Sequence, residues 1–436
     1  MSQPLTSHRS ETDEYQSTNH GLRILDPTAA CAANLHPAAV EVIGLAKLAT
    51  MQFQGFDVMP TYRGLAQMLA NDDTNVGPLM DVAILDQFLG YRERGLTIQS
   101  AALKAQRLFR VASEGPPTRL RVLGFSMAGP ISANTPIEFL LEDSDVELYL
   151  AYIVPGMPFP ETPDHDIAIV LAAESELARP VFAELSQLLV DWPRPVLNRP
   201  QLVPLLGRES LYHLVEPIQG IDIPATIRVD HETMLEIGEV HLPIGAILPD
   251  GGFPIIVRPL DSHGGHGLEK LGSYLEIVSY LARNPALEYY ISRFVDYRSD
   301  DGRFRKYRII VIDGKPYASH LAISDHWMIH FLNADMTGDE EKRREEELFM
   351  ERFESDFAAK HGAALAEMAD LSGLEYFGID CAQTREGKLL LFEADTSLIV
   401  HNMDSPVDFP YKDRHMRMLF EAFRAMLYRK AGMVDG

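Results

Sequence analysis

Between residues 38 and 112 the apolar positions recur at helical spacing, through AAVEVIGLAKLATMQF, TYRGLAQML, VGPLMDVAILDQFLGYRERG and LTIQSAALKAQRLFRVA. This pattern predicts four helices in antiparallel pairs, with a stop at Gly95. After the polar Pro/Gly stretch SEGPPTRL the period changes. RVLGFSM, VELYLAYIV and HDIAIVLAA read as strands, AGPISANTPIEFLLE as loop and helix, and ARPVFAELSQLLVDW as a helix. Strands alternating with helices predict a small parallel α/β domain. Ser132, Asn134 and Thr135, in its first strand-to-helix loop, fit helix caps and ligand contacts alike.

Further on, residues 201–216 read as a helix, GIDIPATIRV as a turn into a strand, SYLEIVSYLAR as a helix and EYYISRFVDYRS as a strand. RFRKYRIIVIDGKPYASHLA reads as a hairpin with a tight Asp313-Gly314 turn, so Lys306 and Arg308, two apart, share a face. The charged stretch from Gly338 to Gly373 reads as helix with a solvated face, and RHMRMLFEAFRAMLYRKAG as a final helix.

A chain of 436 residues with 46% hydrophobic content has ample material for several cores. A formal net charge of −24 excludes nucleic acid and anionic membrane as expected partners, and no apolar run approaches a membrane span. Two cysteines give no disulfide framework, which fits a reducing cytoplasm. The polar residues 1–22, without an apolar leader, are expected to form a disordered tail.

Two stretches carry chemistry. FPIIVRPLDSHGGHG is a strand, then a loop in which Gly264, Gly265 and Gly267 let backbone amides wrap an anion, with Arg258 as a fixed cation on the strand. The loop alone fits a triphosphate clamp or an unliganded hairpin; it is neither a P-loop nor a dinucleotide fingerprint. In EYFGIDCAQTREGKLLLFEAD, two strands joined by a Glu-Gly turn, Asp380 ends the first strand while Glu393 and Asp395 share a face of the second. These acids interrupt an apolar run, and a hard divalent cation would compensate them. A salt-bridged strand edge is the alternative.

A glycine-rich strand-loop followed by such a hairpin resembles the ATP-grasp superfamily over roughly residues 196–400, most of all the ribosomal-protein glutamate ligase, glutathione synthetase and D-alanine-D-alanine ligase branch. The resemblance implies an α/β ATP-grasp fold with a parallel α/β domain before it, preceded here by an all-α module. In domain terms it implies a tail at 1–22, a helical module at 23–115, a pre-ATP-grasp domain at 118–198 and an ATP-grasp domain at 199–430. Residues 90–109 additionally resemble one tetratricopeptide-type helix pair, a surface for a protein or peptide partner or a plain helical cap.

By the same resemblance, Asp380, Glu393 and Asp395 hold Mg²⁺, with Mn²⁺ as the alternative, Asp395 standing where the family has Asn. Arg208 and Arg258 replace two phosphate-binding lysines, which keeps charge and adds a bidentate fork. Ser262, His263, Gly264, Gly265 and Gly267 are expected to close over the ATP phosphates as a lid. Backbone groups of Arg293, Phe294 and Val295 are expected at the adenine, with Asp296 at the ribose. Lys306 and Arg308 stand near the phosphates, Arg308 and Arg258 with Asn333 in catalytic positions. Asn134, Thr135, His330 and His401 are expected on the substrate side. The implied activity is an ATP- and Mg²⁺-dependent carboxylate-amine ligase acting through an acyl phosphate on a small-molecule or peptide acid and amine. A kinase on the same scaffold, and a nucleotide-binding scaffold acting through its helical module, are the alternatives.

Overall fold

In the computed structural model, residues 39–72, 75–249, 251–260, 262, 265–329 and 334–434 are described. The chain is a mixed α/β protein built on three sheets. The first begins with β1 (Val40–Val42), and helices α1 (Leu45–Phe53), α2 (Met59–Asn71), α3 (Gly77–Phe88) and α4 (Arg92–Ala105) follow before β2 (Leu108–Val111). Then come β3 (Leu120–Met127), β4 (Val146–Ile153), β5 (Ile167–Val170), helix α5 (Arg179–Leu188) and β6 (Val196–Leu197). The sheet order is β1-β2-β4-β3-β5-β6, with β3 parallel to both β4 and β5.

The expected all-α module therefore differs from what is observed. Its two ends are strands: β2 pairs antiparallel with β4, and β1 pairs parallel with β2. Three- and four-residue strands are too short to show a period of their own beside long helical patterns. Gly95 is also not a stop. The chain turns at Gly90, and Gly95 lies inside α4, where an added Cβ would stand 2.6 Å from the Ala83 carbonyl oxygen of α3. It is the point at which the two helices touch. The helix expected in residues 128–142 is replaced by two 3-10 turns, Ile131–Ala133 and Phe139–Leu141.

Helix α6 (Arg208–Val215) leads through β7 (Ile221–Asp222) to β8 (Thr226–Asp230) and α7 (His231–Gly238), which is capped by Asp230 accepting from Thr233 N at 2.7 Å. Strands β9 (Ile255–Pro259) and β10 (Glu269–Leu271), helix α8 (Tyr274–Arg283) and β11 (Glu288–Arg293) complete an antiparallel sheet of order β10-β9-β11-β8. This unit has its own core, with Val229, Ile237, Val257, Tyr280 and Tyr289 at its centre.

The third sheet contains β12 (Phe304–Ile312), β13 (Lys315–Ser324), β14 (Tyr376–Gln383) and β15 (Leu389–Asp395), in the order β13-β12-β14-β15-β7. Asp313 and Gly314 make the β12–β13 turn at φ 49° and 78°. Helices α9 (Glu340–Glu351), α10 (Ala359–Ser372) and α11 (Lys412–Lys430) cover it. Asn198, fully buried just after β6, ties the first sheet to the third. Its Nδ2 donates to Tyr376 O at 2.7 Å, and its Oδ1 accepts from Glu375 N and Tyr376 N at 3.1 and 3.0 Å.

Candidate functional site

The site lies where the face of the third sheet meets the unit carrying β9. Pairing in register sets Arg308 of β12 opposite Asp380 of β14, and Asp380 opposite Glu393 of β15. Alternation adds Lys306 and Asp395 to the same face. The carboxylates are not bare. Asp380 accepts from Arg308 Nε at 2.8 Å and Nη2 at 3.0 Å, and from Lys306 Nζ at 2.8 Å. Glu393 accepts from Arg208 Nη2 at 2.8 Å, which brings the first residue of α6 to the strand. Asp395 accepts from Ser397 N at 2.8 Å.

These contacts set the charge states. Burial alone would push Asp380 up, but Arg308 and Lys306 outweigh it and hold the carboxyl well below its usual range. Burial likewise opposes ionisation of Glu393, and Arg208, Arg258 and Lys306 together offset it and lower the carboxyl. For Asp395 burial prevails, and the carboxyl is raised to about 6. Arg258, on β9, is lowered to about 10 by burial and by the neighbouring charge of Arg208, while Glu393 acts in the other direction. Four cations, Arg208, Arg258, Lys306 and Arg308, thus converge on three carboxylates in a protein of formal net charge −24.

The expected carboxylate trio shares a face, as read from the sequence, but does not stand as a preformed cage. Among the described residues no three His, Cys, Asp or Glu side chains come together as a metal-holding group. Asp380, expected as a metal ligand, is held by Lys306 and Arg308. The donors still suit Mg²⁺, a hard ion that takes one or two carboxylates and completes its shell with water and phosphate oxygens. Glu393 and Asp395 are the pair that would supply them.

Other expected residues are engaged in ways the sequence did not reveal. Arg258 donates from Nε to Ser262 Oγ at 3.1 Å and also bonds the Ser262 carbonyl, folding the start of the glycine loop back onto its strand. Gly265 and Gly267 take φ 74° and 67°, where a Cβ is penalised. His263, Gly264, His330 and Asn333 lie outside the described residues. Arg293 bonds Asp222 at 2.8 Å and so links β11 to β7, while Phe294 N donates to Pro254 O. The Phe294 ring carries Lys270 Nζ at 4.3 Å from its centroid. Val295 packs against the main core. Asp296 is taken up by Arg298, with Nη2 to Oδ2 at 2.6 Å, which keeps the carboxyl ionised.

Asn134 and Thr135 hold their own loop. Asn134 exchanges two bonds with the backbone of Met127, and Thr135 Oγ1 donates to Leu171 O at 3.1 Å. His401 sits with its ring 5.5 Å from Phe53 and 6.4 Å from Phe139. His320, which the sequence reading did not single out, pairs with Arg308 across β13; a bulge between Arg308 and Ile309 shifts the register that counting from the turn would give.

No family model matches the chain, and no curated protein does. Solved structures with a similar course include a RimK domain ATP-grasp protein from Sphaerobacter thermophilus, at 14% identity and a TM-score of 0.40, covering 70% of this chain and 99% of its own. D-alanine-D-alanine ligase from Bacillus anthracis, complexed with ATP, reaches 15% and 0.42 over 73% of this chain and 100% of its own. The ATP-grasp ligase PsnB, complexed with a precursor peptide and AMPPNP, reaches 12% and 0.38 over 72% and 100%.

Proposed function

We propose that this chain is an ATP-grasp carboxylate-amine ligase, forming an amide or peptide bond at the expense of ATP. The observation that carries this reading is the group of four cations set among carboxylates on one sheet face of an acidic protein. A polyanion of triphosphate size is the ligand that such a group neutralises without opposing the field of the whole molecule. The strand-and-loop unit holding Arg258, Gly265 and Gly267 then lies on the phosphate side, with Arg293, Phe294 and Val295 on the side of the base.

In the reaction an acid carboxylate oxygen attacks the γ-phosphorus, the bond to the β-phosphate oxygen breaks, and ADP leaves an acyl phosphate. The amine nitrogen then attacks the acyl carbon, the C–O bond to phosphate breaks, and the nitrogen's proton passes to the departing phosphate or solvent. Arg208, Arg258 and Arg308 stabilise charge on the transferring group, and Lys306 adds a point charge beside them. Mg²⁺ on Glu393 and Asp395 would supply further neutralisation of the phosphate oxygens. No protein nucleophile is needed. Calorimetry with ATP, with and without Mg²⁺, tests the reading: metal-dependent binding that is weakened by Arg258→Ala supports it, and absence of nucleotide binding overturns it.

A second reading, a nucleotide-binding scaffold without turnover, draws on the saturation of Asp380 by Lys306 and Arg308. The two part on ADP release. A scaffold binds Mg²⁺-ATP and releases none with any acid and amine, whereas a ligase releases it when both are supplied.

A further inference from the structure

The segment leaving β15 is anchored to the site at one end and to the N-terminal helices at the other. Arg308, while holding Asp380, donates from Nη1 to the Ile399 carbonyl at 3.2 Å. Two residues on, the His401 ring meets Phe53 at the end of α1 and Phe139 of the first domain. Met403 then joins Phe139 with Ala46 and Ala49 of α1 in a small buried cluster. Phe53 and Ile399 each keep 44% of their surface exposed. His401 adds no charge there: burial lowers it to about 4, and its Nδ1 accepts from Met403 N at 3.2 Å. Three uncharged side chains, one of them from the helical module, thus adjoin a cleft otherwise lined by guanidinium groups and carboxylates, with Asp404, Lys412 and Arg308 the charges that act on His401.

We propose that Phe53, Ile399 and His401 form the subsite for the acceptor's side chain, and that the acceptor is an amine bearing an apolar or aromatic group. The proposal rests on the ligase reading above. Its occupant follows from continuity with the reacting groups: the Arg308 guanidinium that faces the transferred phosphoryl also fixes the Ile399 backbone. An amine poised to attack there carries its substituent toward this subsite. A cationic or anionic substituent would find no counter-charge on these three side chains, while an aromatic one covers exposed apolar surface. The helical module would then act in substrate selection by supplying Phe53.

The test uses the full chain with Mg²⁺-ATP present and titrates L-phenylalaninamide, L-lysinamide and L-glutamate by calorimetry. Phenylalaninamide should bind about tenfold or more tightly than the charged probes, and Phe53→Ala should remove most of that preference without changing ATP affinity. Ile399→Glu, which alters only a side chain beside the retained backbone contact, should turn the preference toward lysinamide. Equal binding of all three probes, or a preference untouched by both substitutions, overturns the subsite while leaving the ligase reading in place. Loss of ATP binding by the unmodified chain overturns both.

Discussion

Arg308 grips Asp380 through two parallel bonds, Nε to Oδ1 at 2.8 Å and Nη2 to Oδ2 at 3.0 Å, and Lys306 takes the same carboxylate at 2.8 Å. The aspartate is 2% exposed. A buried charge so held is stable only with its partners in place, and removing it leaves two cations without compensation. Asp380→Asn should therefore destabilise the protein by on the order of 3–5 kcal/mol before any nucleotide is added. Chemical denaturation of the unliganded variant measures this.

Asp395 should respond in the opposite direction. Burial raises its carboxyl from 3.8 to about 6, so the folded state holds the proton more tightly than the unfolded chain does. Its contribution is favourable at low pH and is lost as pH rises from about 4 through about 6. Asp395→Asn removes that loss and should stabilise the protein by roughly 2–3 kcal/mol above neutral pH, with little effect near pH 4. Melting curves across that range give the comparison, and a destabilised variant at high pH would show that the carboxylate is compensated.

Asp81 and Glu138 give a second titration, away from the cleft. Asp81 accepts from Ile43 N and Gly44 N, and Glu138 from Ala46 N, so both clasp the start of α1. Tyr152 is the other titratable group sensing them, and Glu138 and Tyr152 line a cavity of about 60 Å³ in which Gln87 and Gln99 are further polar side chains from α3 and α4. Burial raises Asp81 to about 6 and Glu138 to about 7 against the pull of these amides. Stability from the pair is again lost as pH rises. Glu138→Gln should match the unmodified protein near about pH 5 and exceed it near about pH 8 in thermal midpoint. The reverse trend would mean that the amides win over burial.

Much of this site was legible because strands have period two. Lys306 with Arg308, and Glu393 with Asp395, could be assigned to shared faces from spacing alone. Which cation meets which carboxylate could not, because it depends on the Arg308–Asp380 and Asp380–Glu393 registers and on bulges beside both Arg308 and Asp380. The glycine loop and the carboxylate hairpin stood out as local chemistry. The strands β1 and β2 did not, since their pairing partner β4 lies far along the chain and supplies what three or four residues cannot show themselves. Helix α7 was overlooked although Asp230 and Thr233 carry an ordinary cap signal. Gly95 was misread because a close helix contact and a helix stop draw on the same residue type.

Asn198 holds a positive φ of 48° and satisfies three backbone groups of residues 375 and 376 with its amide side chain. Asn198→Ala leaves those buried groups unpaired and should cost on the order of 2–4 kcal/mol. Because the residue ties the first sheet to the strand that carries Asp380, denaturant unfolding should also become less cooperative, which two spectroscopic probes with separate midpoints would reveal.

The Arg208–Glu393 bond at 2.8 Å joins the start of α6 to the carboxylate strand across a separation of 185 residues. If triphosphate takes the guanidinium, Arg208→Ala should weaken Mg²⁺-ATP binding by about tenfold or more, with a smaller loss at high salt. Calorimetry at two ionic strengths measures both effects.

The most direct measurement follows ADP and inorganic phosphate release from ATP across pooled carboxylic acids and amines, in the presence and absence of Mg²⁺. Release should require the metal, an acid and an amine together, yield equal amounts of ADP and phosphate, and disappear in Glu393→Ala. Full metal-dependent turnover by Glu393→Ala, or ADP formed with a stable phosphorylated product and no free phosphate, would contradict the assignment of this cleft to amide bond formation.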